Sequence, residues 1–248
     1  MNAKPPSAGF SIKSLLSFAA KSLYTVPRIG VHARCLLESS MGRRDYQSAE
    51  YWNGGLSGWA ASYMGGTLSI DVRNAVTVSL ARQLCPGATS ILDLGCAGGT
   101  LVRCLDRGFE TYSGVDISDY AISKAREEAA GAGFPPGLAC GFEASSVEAY
   151  QPGRQYDVIV FNEVMYYLDL AAVSETLRRY ADHLYPEGVI VVSLKDHEQC
   201  RCLQEVLCGV LEFSHGVLFQ EQSRRTGWKI LSHREMPAFL IQGFRKHG

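Results

Sequence analysis

Ten residues, Ile91-Leu92-Asp93-Leu94-Gly95-Cys96-Ala97-Gly98-Gly99-Thr100, constrain this chain more than any others. An apolar run reaches an acidic residue, then turns through a glycine cluster into a helix-like stretch. The run has the length of a buried parallel strand, and glycine lets a backbone turn tightly and come close to a ligand. N–H groups at a helix start favour a negatively charged partner. Strand, glycine turn and helix together predict a nucleotide-type site. A dinucleotide fingerprint requires G-x-G-x-x-G, whereas these glycines fall as G-x-x-G-G, which disfavours a nicotinamide-dependent dehydrogenase.

A second strand-like run, Thr111-Tyr112-Ser113-Gly114-Val115, ends in Asp116, seventeen positions beyond Gly99. A carboxylate at the end of such a strand accepts hydrogen bonds from a ribose diol. Its bland alternative is an N-cap for the following helix, a role equally open to Ser118 and Asp119.

The segment Asp93 to Gly99 resembles the first motif of the class I S-adenosylmethionine-dependent methyltransferases, D/E-x-G-x-G-x-G. Ala97 stands in the place of the second glycine, and Gly98 adds one beside it. Further segments extend the resemblance from about Tyr51 to Lys246. Asp116 takes the place of the ribose-binding acid, with Ile117 against the adenine. Gly141-Phe142-Glu143-Ala144 stands where the family often has an adenine-reading Gly-Asp-Ala, Phe142 being the departure. Tyr156 to Leu168 resembles the fourth strand and the loop that faces methyl group and acceptor. Leu184 to Leu194 resembles a Pro/Gly turn entering the fifth strand. The resemblance implies an α/β fold: a Rossmann-like, seven-stranded, mostly parallel sheet with an antiparallel last strand and helices on both faces. It also implies S-adenosylmethionine as cofactor, with S-adenosylhomocysteine as product. The implied cofactor site comprises Tyr63 (with Tyr51 second), Asp93, Gly95, Cys96, Ala97, Gly98, Gly99, Asp116, Ile117, Phe142, Glu143, Ala144 and Asn162.

Any base for the acceptor belongs at the carboxyl ends of the fourth and fifth strands, where open α/β sheets bind ligands. Glu163 is the candidate on the fourth strand, with Tyr166 and Tyr167 as shaping or hydrogen-bonding groups. After the fifth strand, His197 is able to take a proton near neutral pH. Each has an ordinary structural alternative: a helix cap for Glu163, core packing for the tyrosines, and a place among the polar residues facing solvent for the histidine. No Asn-Pro-Pro-Tyr motif occurs, which disfavours amino-base and glutamine acceptors. The stretch 162–168 is similar to that of sugar-, amine- and nodulation-type methyltransferases. The expected reaction is methyl transfer to an O or N atom of a small polar metabolite. The alternatives are a protein or RNA methyltransferase and a non-catalytic S-adenosylmethionine-binding module.

Bulk properties bear on partners and location. The chain has 248 residues with 46% hydrophobic content, enough for one sizeable core. Its 24 basic and 25 acidic residues leave a net charge of −1, which argues against a nucleic-acid partner. The eight cysteines lack a disulfide-framework spacing, so a cytoplasmic protein with reduced thiols is expected. His197, Cys200, Cys202 and Cys208 do not match a structural zinc pattern, and no metal site is assigned.

Residues 1–50 are expected to form a basic helical extension, and 51–248 the methyltransferase domain, with 51–84 as a lid and entry helix. From Met1 to Leu37 there is no Asp or Glu, while Ile12, Leu15, Leu16, Ala19, Ala20 and Leu23 recur at helical spacing. That composition suits an extension packed on the core, an organelle transit peptide, or a peripheral membrane contact. Glycines and aromatics in 51–67 read as a cover over the site, or as a plug at the sheet edge. Helices are expected at 70–84, 100–107, 118–131, 171–184 and 198–211, with the last two strands at 228–233 and 238–246.

Overall fold

The apolar runs that end in Leu94, Asp116 and Asn162 become adjacent parallel strands, so their carboxyl ends meet. This is seen in a computed structural model, which describes residues 46–54, 68–131, 134–168, 170–195, 201–220 and 238–247. The strands are β1 (Ser90–Leu94), β2 (Thr111–Asp116), β3 (Ala139–Ala144), β4 (Tyr156–Asn162), β5 (Leu184–Lys195), β6 (Glu212–Gln220) and β7 (Ala238–Arg245). They form one sheet in the order β3-β2-β1-β4-β5-β7-β6. β1 to β5 are parallel, and β7 runs antiparallel to both β5 and β6. The chain leaves β1 toward β2 on one side, while β4 flanks β1 on the other. That reversal opens a crevice at the carboxyl ends, where α/β sheets bind ligands.

Alternation along the buried strands sends side chains to two faces. On one face Leu92, Leu94, Ile159, Phe161, Ile190 and Val192 pack with α4 (Leu170–Asp182) and α5 (Arg201–Val210). On the other, Ile91, Val158, Val160, Val189 and Val191 meet Val78, Leu80 and Ala81 of α2 (Leu68–Leu84). α3 (Asp119–Ala130) buries Ala121, Ile122 and Ala125, and its Ser118 N-cap accepts a hydrogen bond from Ala121 N at 3.2 Å. Helices thus cover both faces, as expected.

Two expectations are corrected. The helix predicted over 100–107 is a short 3-10 turn, Thr100–Cys104. Asp106 ends it by accepting from Gly108 N at 2.8 Å while Arg82 grips both its carboxylate oxygens at 2.7 and 3.0 Å, turning the chain toward β2. The sixth strand is Glu212–Gln220, a run the sequence did not single out. Gly216 and a register shift between Phe213 and His215 interrupt its alternation. Residues 1–45 and 228–233 lie outside the described residues.

At the opposite end of the sheet, one oxygen of Asp157 fastens β4 to β1. It accepts from the backbone N–H groups of Thr89 and Ser90, both at 2.9 Å, and from Ser90 Oγ at 2.7 Å. Burial alone pushes this carboxyl up, yet these donors outweigh it and hold it below the usual range. Its contribution is therefore present above the unfolded carboxylate pKa near ~4 and is lost as pH falls through the lower folded value. Asp157→Ala should cost about 2 kcal/mol at pH 7 in urea unfolding, with the gap to the parent narrowing below about pH 4.

Candidate functional site

The glycine cluster bends the chain away from β1 in three left-handed steps: Gly95 (φ 76), Ala97 (φ 47) and Gly99 (φ 74). Gly95 N and Cys96 N donate to Val115 O at 2.8 and 3.0 Å, so β2 holds the start of the loop. At Ala97 a non-glycine residue takes the left-handed conformation, which costs an L-residue roughly 1–2 kcal/mol. Its N–H donates to Asp116 Oδ2 at 2.9 Å, an interaction that offsets the strain. Asp116 Oδ1 accepts from Ser118 N, also at 2.9 Å. The carboxylate therefore spans the glycine loop and the entry to α3, and each oxygen keeps a second lone pair for a ligand. Burial raises its pKa against the pull of those two N–H groups.

Below the loop lies Asp93, almost fully buried. Its Oδ2 accepts from Tyr112 Oη at 2.7 Å, while Oδ1 has no hydrogen-bond partner. Burial first, and then the charge of Asp116, push this carboxyl up to about 7, against the Tyr112 hydrogen bond and Arg73. The Cys96 thiol, pushed well above its usual range by the same burial and the two carboxylates, stays protonated. It is packing, not a nucleophile.

On the β4 side, Asn162 Nδ2 donates to Asn74 Oδ1 of α2 at 2.8 Å, and Asn74 Nδ2 donates to Thr100 Oγ1 at 3.2 Å. Glu163 follows in a left-handed conformation (φ 61). Its carboxylate accepts from Ser193 Oγ at 2.7 Å and from Tyr166 Oη at 2.9 Å. Burial, and then the Glu163 charge, raise the Tyr166 phenol well above its ordinary range. Tyr166 is therefore a protonated donor across neutral pH, unsuited to taking a proton. Val164 comes so close to the glycine loop that a Cβ on Gly95 would lie 2.8 Å from its Cγ2.

A short helix, α1 (residues 49–54), crosses this end of the sheet. Ser48 Oγ accepts from Tyr51 N at 3.1 Å, capping its first turn. Trp52 and Tyr46 lie 4.9 and 5.2 Å from the Tyr167 ring, and Tyr51 and Tyr166 complete the aromatic cluster. At its other end Asn53 Oδ1 accepts from Ser118 Oγ at 2.7 Å and from Tyr120 N at 3.2 Å. α1 thus bridges the segments that follow β2 and β4, the two strands flanking β1.

The structure gathers Gly95 to Gly99, Asp116, Ile117, Asn162, Glu163, Tyr166 and Tyr167 at one end of the sheet. Asp93 lies beneath the loop as its buried floor. On the edge strand, Phe142 turns inward against Tyr112 and Phe134, while Glu143 and Ala144 are exposed. Tyr63 and His197 lie outside the described residues, as do Cys200 and the rest of 196–200. Among the described residues no group of three or more metal-ligating side chains occurs. Sequence reading missed Tyr46, Asn53, Asn74 and Ser193. Each acts through a partner distant along the chain, and only the glycine- and aromatic-rich composition around α1 hinted at a cover.

Residues 92–190 match the family model described as a methyltransferase domain. The chain is 32% identical over 126 residues to the ubiquinone biosynthesis O-methyltransferase of Bradyrhizobium diazoefficiens, covering 49% of this chain and 47% of that protein. It is 27% identical over 115 residues to the dTDP-3-amino-3,4,6-trideoxy-alpha-D-glucopyranose N,N-dimethyltransferase of Streptomyces venezuelae, covering 46% and 45%. The chain thus spans about half the length of these relatives. Among solved structures, the N-methyltransferase NodS from Bradyrhizobium japonicum WM9, in complex with S-adenosylhomocysteine, superposes with a TM-score of 0.61 at 20% identity. That match covers 83% of this chain and all of the other, and it establishes the fold. Residues 92–190 thus resemble a methyltransferase domain, and the chain shares the NodS fold, with its glycine loop facing an acidic strand end at the β1/β4 reversal.

Proposed function

We propose that this chain transfers a methyl group from S-adenosylmethionine to a nitrogen or oxygen atom of a small polar metabolite. The observation that carries this reading is the convergence of the glycine loop, Asp116 and Asn162 at the carboxyl ends of β2, β1 and β4. The residues present fit the cofactor. A buried carboxylate with spare lone pairs suits a ribose diol, and two buried side-chain oxygens, Asp93 Oδ1 and Asn162 Oδ1, have no hydrogen-bond partner. When bound, S-adenosylmethionine supplies an electrophilic sulfonium methyl group.

The chain's own residues do the rest. The glycine loop and Asp116 hold and orient the nucleoside. Glu163, kept in place by Ser193 and Tyr166 at the end of β4, is the carboxylate available to take a hydrogen bond or a proton from the acceptor. The aromatic cluster of α1 and Tyr167 limits water at the same end of the sheet. The names of the relatives favour a small acceptor, one a nucleotide amino sugar methylated at nitrogen and the other an O-methylation in ubiquinone biosynthesis. Among the described residues, no helix is long and apolar enough to cross a membrane.

Isothermal titration with S-adenosylmethionine and S-adenosylhomocysteine tests the cofactor half. Micromolar binding of both is expected, and no binding of either would overturn the reading. Methyl transfer to a panel of amino sugars and hydroxylated aromatics tests the acceptor half. Asp116→Ala should weaken cofactor binding by about 1–3 kcal/mol, since charge-assisted hydrogen bonds and the clasp on Ala97 go together. Unchanged affinity in that variant would remove Asp116 from the site.

A further inference from the structure

The side chain of Asn74 is fully buried and belongs to α2, an element that precedes the glycine loop. It has a partner at each end of the site: Asn162 at the end of β4 and Thr100 directly behind Gly99. A carboxamide offers one acceptor end and one donor end, and here Asn74 turns its acceptor to Asn162 and its donor to the Thr100 hydroxyl. In this arrangement the Asn162 amide nitrogen is committed to Asn74. The Asn162 carbonyl oxygen is then the end left over, and it is buried with no hydrogen-bond partner. A buried acceptor without a donor is costly, and at a ligand site a donor on the ligand is one way to satisfy it.

We propose that Asn74 is a positioning residue that holds Asn162 with its carbonyl oxygen turned out of the Asn74–Thr100 chain, as an acceptor for an N–H or O–H donor of the bound ligand. Turning the Asn162 amide over would set its oxygen against Asn74 Oδ1. The polarity that the site presents at the end of β4 is thus set by a residue of α2 and anchored at the glycine loop. The inference rests on the function proposed above and names a residue on which that site depends.

The test compares Asn74→Leu with Asn74→Asp in the full chain. Leucine removes both hydrogen bonds. Aspartate keeps an oxygen facing Asn162 Nδ2, and the Thr100 hydroxyl is able to rotate and donate to the other oxygen. Both variants lose thermal stability, one through orphaned partners and the other through a buried acid. S-adenosylhomocysteine affinity, titrated well below the melting temperatures, separates them. A fall of about tenfold in Asn74→Leu, with Asn74→Asp within about threefold of the parent, is the expected result. Equal affinity in the leucine variant and the parent, or equal losses in both variants, would overturn the proposal. Where Asn74→Leu does not fold, Thr100→Val removes only the far anchor. A loss of about threefold or more then supports the chain of contacts, and a smaller one overturns it. Binding by the parent decides the functional reading separately, because a parent that binds no S-adenosylhomocysteine fails before any variant is compared.

Discussion

Gly95→Ala should unfold more readily than the parent by about 3 kcal/mol and lose S-adenosylhomocysteine binding by about a hundredfold. Two costs combine at this position. A φ of 76 is open to glycine but strained for an L-residue, and a Cβ there would lie 2.8 and 2.9 Å from Val164 Cγ2 and Cβ. The second collision involves a branch point close to the backbone, so relief requires the segment after β4 to move away from the glycine loop. That movement separates the two halves of the site. Gly153→Ala is the control, because nothing lies within 4 Å of a Cβ there. Urea unfolding and titration of both variants check the result. A Gly95→Ala protein with parental affinity would show that the close approach of the two loops is not needed for binding.

Asp93→Asn should stabilise the protein at pH 8, in contrast to most substitutions at buried polar positions. The folded pKa of about 7 lies above an ordinary carboxylate, and its largest cause is burial. A raised carboxyl binds its proton more tightly in the folded state, so its contribution is complete below the unfolded pKa near ~4 and is lost as pH rises to about 7. The corresponding free energy is on the order of 4 kcal/mol, of which an unmatched amide hydrogen in the variant returns about 1–3. Thermal melts from pH 4 to pH 9 should show the variant gaining on the parent up to about pH 7 and then holding level. A difference that does not change across that window would mean that Asp93 does not titrate there. Tyr112 keeps its hydrogen bond in either case, because the Asn carbonyl also accepts it.

The parts of the site that were legible in the sequence are those encoded locally. The glycine loop announces itself because left-handed backbone and close approach select small residues within a few positions. Asp116 was legible because a strand end and a loop fix its distance from Gly99. Ser118 as a cap required only the start of the next helix. Glu163 and Tyr166 were placed at the right end of the sheet by the strand that precedes them. Their mutual hydrogen bond and the clamp from Ser193, thirty residues on, were not visible. β6 escaped notice because a glycine and a bulge break the alternation by which a strand is recognised.

The amino-acid sequence by itself determined the alternation of strands and helices, the class of ligand suited to the glycine turn, and the strand ends that carry the candidate site. Those follow from short-range periodicity and from the conformations that single residues tolerate. Tertiary structure decided which side chains complete the site. Asn53 reaches Ser118 and Tyr120, Asn74 joins Thr100 to Asn162, and Asp93 becomes a carboxyl titrating near neutral pH. Hydrogen bonds across 26 to 88 residues and the loss of water around a buried charge depend on which elements the packed sheet brings together, and no local pattern encodes that.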